Sequence, residues 1–148
     1  MYDLSPYLKY GTNNLIAVRV DHTQDGDSRW YTGSGIYRNV KLISTDRIHL
    51  KQWGVNYLTR EVYSEKAVLS VNSTIVYDSG TPVVTITNTL LLGNKVAGKA
   101  TKEIDLPVGT EATVNQIIIV EKPELWDVDD PTLYTLVTEV KGKKTLIK

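Results

Sequence analysis

A chain of 148 residues suffices for one ordinary domain or two small ones. Its 17 Lys and Arg balance 17 Asp and Glu, giving a formal net charge of zero and a pI near 6.7. This excludes the basic excess of a nucleic-acid binder or a polybasic membrane-surface patch. Cysteine is absent, which removes disulfides, thiolate zinc sites and Cys nucleophiles, and no apolar run nears the roughly 20 residues that span a bilayer.

Val, Ile and Thr make up 45 of the residues and Ala only 5. β-branched side chains suit a pleated surface and Ala suits a helix, so an all-β fold is expected. Asp3–Gly11 reads as one helical turn, with Ser5 as N-cap, Pro6 at the first helical position and Gly11 closing it in a left-handed conformation. Leu15–Asp21 alternates like a strand, a polar loop runs from His22 to Gly35, and Ile36–Ile43 offers a second strand before the connector Ser44–Asp46. Further strands are expected over Ile48–Val55, Asn56–Tyr63, Ala67–Tyr77, Pro82–Leu92, Val96–Ile104, Ala112–Val120 and Thr132–Val140, with a short last one at Lys144–Ile147. About seven strands over about 100 residues, with a turn every ten or so, predict an immunoglobulin-like sandwich at 47–148. Leu69, Val71 and Ile75 are expected to face its core unless a bulge near Ser73 shifts the register. Residues 1–46 hold too few strands to bury both faces of a sheet, so they are expected to belong to a larger sandwich. Met1 is the sole methionine, as in an internal piece given a start codon, and no basic start followed by an apolar stretch marks a signal peptide.

Three stretches carry a resemblance: Asp3–Asp21, Ser28–Ile43 (SRWYTGSGIYRNVKLI) and Lys122–Leu136 (KPELWDVDDPTLYTL). In order and spacing they resemble glycoside hydrolase family 2, β-galactosidases in particular; Ser28–Ile43 is the most specific of the three, and Arg29–Arg38 within it favours β-galactosidase. The resemblance implies that 1–46 ends a jelly-roll sugar-binding domain, that 47–148 is the immunoglobulin-like domain, and that a catalytic (β/α)8 barrel lies elsewhere in the parent. Family chemistry is retaining hydrolysis by two barrel carboxylates about 5 Å apart. The implied partners are therefore carbohydrate in the parent, the missing jelly-roll strands and the barrel. No nucleic acid, membrane or cofactor is implied, and the isolated chain is expected to be inactive. A periplasmic or secreted bacterial parent fits, although the lack of Cys fixes no compartment. Cutting a jelly roll exposes strand edges, which predicts a homodimer or a disordered segment 1–14. Alternatives are a stand-alone binding or adhesion module, or a piece of a β-glucuronidase or β-mannosidase.

No catalytic residue is assigned, because the acidic clusters Asp25, Asp27 and Asp127, Asp129, Asp130 sit in loops without a hydrophobic pocket to raise a pKa. The resemblance points to Asp27, Arg29 and Trp30 as substrate-binding, with Asp25 able to replace Asp27; Asp and Arg hydrogen-bond hydroxyls and Trp stacks on a sugar face. A solvated turn whose Trp30 packs on a neighbouring sandwich is the competing reading. The acidic clusters contain oxygen donors for Ca²⁺ but lack an EF-hand's length and terminal Glu, so turn chemistry is expected. Gly33-Ser-Gly35 lacks the third glycine and helix of a phosphate cradle. His22 and His49 have no third ligand in their pattern. Trp53 and Trp126 are expected to anchor the sandwich core or its contact with neighbouring domains. Asn72-Ser-Thr74 is a glycosylation sequon inside an expected strand.

Overall fold

A computed structural model describes residues 2–21, 33–77, 83–107 and 110–142. The chain divides into two units, Met1–Ile43 and Ser44–Lys148.

In the first unit, Ser5–Tyr7 form a single 3-10 turn, closed by the Tyr7 N–H donating to the Leu4 carbonyl at 2.9 Å. Its cap position is Leu4 rather than Ser5, and no side chain caps it. The Ser5 N–H donates instead to Asp3 Oδ1 at 2.9 Å, an Asx turn that competes with capping by the serine itself. Gly11 adopts φ +76, the left-handed conformation expected of it. Asn14 then folds back on Lys9, its Oδ1 accepting the Lys9 N–H and its Nδ2 donating to the Lys9 carbonyl, both at 2.9 Å. Leu15–Asp21 and Ile36–Ile43 alternate like strands, yet neither forms a ladder among the described residues. Leu15 is 95% exposed, and Val40 and Leu42 are exposed too. A strand is held by a neighbour's backbone and a covered face, and alternation supplies only the side-chain pattern.

The second unit is a β-sandwich of two three-stranded antiparallel sheets. Its strands are β1 (His49–Val62), β2 (Lys66–Val76), β3 (Val83–Leu92), β4 (Lys95–Asp105), β5 (Glu111–Glu121) and β6 (Tyr134–Gly142). One sheet has the order β1-β2-β5 and the other β4-β3-β6. β3 and β4 form a hairpin through a two-residue turn, with Gly93 at φ +58 in its first position, where glycine supplies the positive φ. The chain then crosses to β5 and returns in β6 beside β3. Connections that alternate between two packed sheets in this way are immunoglobulin-like. The expected Lys144–Ile147 strand lies outside the described residues.

Residues 48–63 were expected to be two strands, and 49–62 are one. Leu50 pairs with Ile75 and Val55 with Ser73, so Lys51–Gly54 bulge out opposite Thr74. The bulge absorbs the irregular pattern without reversing the chain. Trp53 sits in it at φ 58 and is 86% exposed, so it anchors no core. Gly54 is buried, and a Cβ there would stand 2.8 Å from Lys51 Cβ and from the Lys51 carbonyl oxygen. Gly98 serves a similar purpose between the sheets: a Cβ would meet Ile118 Cγ2 at 2.6 Å and the Ile119 carbonyl oxygen at 2.9 Å.

β2 pairs with β5 without a register shift from Lys66 to Val76, so Val71 and Ile75 face the core with Ser73 between them, and Leu69 packs against it. The core has two apolar clusters. One centres on Ala67, Val71, Leu90, Ile118 and Val120, the other on Ile75, Tyr77, Val84, Ile86 and Val114. Between them in the strands lie buried Ser73, Asn88 and Gln116. Asn88 Nδ2 donates to Gln116 Oε1 at 2.7 Å and to Ser73 Oγ at 3.2 Å, and Asn88 Oδ1 accepts the Thr138 hydroxyl. Gln116 Nε2 donates to the Ile86 carbonyl at 3.4 Å. Four strands, two from each sheet, therefore meet at one amide. Tyr77 closes the second cluster by donating its hydroxyl to the Pro107 carbonyl at 2.9 Å.

Two substitutions test this account by denaturant unfolding of the purified chain. Gly54→Ala is expected to lower stability by about 1–3 kcal/mol through backbone overlap. Asn88→Ala, which strands the polar groups of Gln116 and Thr138, is expected to cost about 2–4 kcal/mol, with strong non-additivity in a double-mutant cycle against Gln116→Ala.

Candidate functional site

β4 and β5 close one side of the sandwich, while on the other side β1 and β6 meet only slightly. That seam opens into a groove of about 800 Å³. Tyr57, Thr59 and Val62 of β1 and Tyr134–Leu136 of β6 form its walls, and core residues including Leu69 and Leu90 reach its floor. The β5–β6 connection supplies the rest through Pro123–Trp126 and Thr132–Leu133. A volume of this size takes a small ligand or several side chains.

The connection is held at both ends. Lys122 leaves β5 at φ 47, with its N–H donating to the Glu65 carbonyl at 2.9 Å. Two residues on, the Glu124 N–H donates to the Tyr134 hydroxyl at 2.8 Å. The acidic run Asp127–Asp130 spends oxygens on its own turn, as the sequence predicts. Asp127 Oδ1 accepts the Asp129 N–H at 3.0 Å, Asp130 Oδ1 accepts the Thr132 hydroxyl at 3.3 Å, and the Asp130 carbonyl accepts the Asp127 and Thr132 N–H groups. Trp126 is exposed beside this turn, so it too lies outside the core.

The groove lining is mainly aliphatic and aromatic, with Thr hydroxyls, two Tyr and Glu124 as its polar members. Such a surface binds apolar faces; it does not resemble two facing carboxylates. The Asp3 carboxyl has its pKa displaced downward, because the Ser5 N–H and hydroxyl stabilise its charged form. A general acid needs the opposite shift. His49 turns its Nδ1–H to the Asp46 carbonyl at 2.9 Å. Among the described residues no three His, Asp or Glu are grouped to hold a metal. Asp25, Asp27, Arg29, Trp30 and His22 lie outside the described residues. The sequon is in β2: Asn72 Oδ1 accepts from Asn115 Nδ2 at 2.9 Å, and Thr74 shares a hydrogen bond with Thr113.

The profile of Glycosyl hydrolases family 2 matches residues 48–148. The chain belongs to glycosyl hydrolase family 2. Beta-galactosidase BoGH2A of Bacteroides ovatus is 44% identical over 142 residues, covering 94% of this chain and 17% of that protein. A beta-glucuronidase of Formosa agariphila is 26% identical over 99% of this chain and 17% of its own length. Among solved structures, a family 2 member from Bacteroides cellulosilyticus superposes with a TM-score of 0.85 at 29% identity, over 97% of this chain and 20% of that one. The chain thus spans about one-sixth to one-fifth of these relatives' length, and its described residues are strands, one 3-10 turn and connections, with no (β/α)8 barrel among them.

Within this family 2 sandwich the groove depends on the tether between the connection and β6. Tyr134→Phe removes the acceptor of the Glu124 N–H. The expected loss is about 1 kcal/mol, read as faster hydrogen exchange at the Glu124 amide with the β2 and β5 amides unaffected.

Proposed function

We propose that this chain is a non-catalytic part of a longer family 2 glycoside hydrolase resembling β-galactosidase. In this reading residues 1–46 end a jelly-roll sugar-binding domain, and 47–148 form a rigid sandwich that orients that domain over a barrel carrying the two catalytic carboxylates. The observation that carries it is the 44% identity to Beta-galactosidase BoGH2A along 94% of this chain but only 17% of that protein. Asp27, Arg29 and Trp30 would contact the sugar, the two polar residues by hydrogen bonds to hydroxyls and the indole by stacking. Exposed apolar faces on Leu15–Asp21 and Ile36–Ile43 support strand pairing between two copies of the isolated chain. The similarity to a beta-glucuronidase over 99% of the chain makes a glucuronide-acting parent the nearest competitor.

Sequencing the source locus across both ends, followed by assays of the 148-residue chain and of the encoded polypeptide, tests the proposal. The chain alone is expected to hydrolyse no β-galactoside and to run as a dimer by light scattering. The longer polypeptide is expected to hydrolyse β-galactosides with retention, and Asp27→Ala or Trp30→Ala to raise its KM. A reading frame that stops at Lys148 with a native start would replace this reading by a stand-alone module, and a preference for β-glucuronides would replace the substrate.

A further inference from the structure

The outer faces of the two sheets differ in chemistry, and strand register shows the difference rung by rung. On the β4-β3-β6 sheet, Thr85 lies between Glu103 and Lys141, Thr87 between Thr101 and Glu139, and Thr89 between Lys99 and Val137. Over these rungs threonines and charges prevail, as on a solvated face, and the apolar members Val137, Leu91 and Val96 gather toward the β3–β4 hairpin, Val96 being 55% exposed. On the β1-β2-β5 sheet the corresponding rungs are Leu58–Ser70–Ile117 and Glu61–Val68–Ile119. Leu58 is 54% exposed, and Ile117 and Ile119 are each 49% exposed. The run Ile117-Ile-Ile-Val120 is therefore apolar on both faces, the pattern of a strand covered on both sides, although only Ile118 and Val120 point into the core. Around this centre the face turns polar. Asn56, Asn72 and Asn115 form the next rung, and Asn115 Nδ2 donates to Asn72 Oδ1 and to Ser70 Oγ at 2.8 Å. The rung Lys66–Glu121 borders the other side, and Glu61 ends the second apolar rung at β1. An apolar centre inside a polar rim is the anatomy of an interface.

We propose that the outer face of the β1-β2-β5 sheet docks this domain onto the remainder of the longer polypeptide, while the outer face of the β4-β3-β6 sheet stays in water. The inference rests on the functional reading above and adds which surface is used. Two observations select the rest of the polypeptide as the occupant. Relatives and the superposed structure extend over five to six times this chain's length, so a sandwich of this size has a large body of protein to pack against. The apolar centre is also small: two rungs across three strands cover about 150–250 Å² from sheet spacings. A stable complex of separate molecules buries about 800 Å² per partner. Covalent tethering removes that requirement by raising the effective concentration of the second surface.

The chain has no native cysteine, so single thiols can report on each face. Ile117→Cys and Ile119→Cys probe the docking face, and Thr87→Cys and Val137→Cys the other. Alkylation rates, assigned by peptide mass spectrometry, are compared between the 148-residue chain and the longer polypeptide. The expected result is that the longer polypeptide slows positions 117 and 119 by about tenfold or more, as stable burial does, and leaves 87 and 137 unchanged. Equal rates at all four positions in both proteins would overturn the docking face while leaving the functional proposal standing. Concentration-dependent protection of 117 and 119 in the 148-residue chain would overturn it in favour of a second copy. If the reading frame encodes no longer polypeptide, both proposals fall together.

Discussion

The sandwich depends on one buried amide. Asn88 lies where both sheets could have met through methyl groups, and it ties β3 to β2, β5 and β6 at once. Inside a low-dielectric core each of these bonds is electrostatically stronger than in water, and each partner left alone would be costly. Apolar contacts tolerate sliding by a residue pair, since many registers bury similar area. An amide that must find Gln116, Ser73 and Thr138 together accepts one register. The two apolar clusters supply the cohesion of the sandwich, and the polar layer between them fixes how its sheets align.

That alignment has consequences at the surface. With β4 drawn against β5 through the small Gly98, the opposite side stays apart, and β1 and β6 flank a groove instead of a closed seam. The β5–β6 connection lines this opening without filling it, because its acidic turn is satisfied locally and its one hydrogen bond to β6 is at Tyr134. The same register sorts the outer side chains into rungs, placing Thr85, Thr87 and Thr89 along the middle of one sheet and Ile117 and Ile119 on the other. The family relatives that this sandwich matches are five to six times longer than the chain.

Much of this was legible in the residues. A surplus of Val, Ile and Thr over Ala, with turn residues at short intervals, is enough for an all-β fold, because β-branched side chains favour the pleat. Three short motifs were enough for the family. The errors lay where local pattern meets a distant partner. Residues 48–63 were expected to divide between Val55 and Asn56, whereas the irregularity is a bulge at Lys51–Gly54 that is visible only once β2 is alongside. Leu15–Asp21 alternates correctly but has no described ladder to join. Trp53 and Trp126, expected in the core or at a contact with neighbouring domains, are exposed, which removes only the core alternative, since nothing in a tryptophan's sequence context says which surface covers it. The polar layer did leave a trace: Asn88 interrupts Val84, Ile86 and Leu90, and Gln116 interrupts Val114 and Ile118, each at an inward position.

By itself, the sequence determined what depends on composition and short-range pattern: strand-rich architecture, hairpin turns, the self-contained Asp127–Asp130 turn and membership of a hydrolase family. Those properties follow from backbone sterics and side-chain alternation, which act over a few residues. Only the tertiary structure decided that one amide aligns the sheets, that a groove opens between β1 and β6, and that Leu58, Ile117 and Ile119 gather on one outer face. Each of these depends on which residues far apart in the chain are brought to the same rung, and that is set by packing across the whole sandwich.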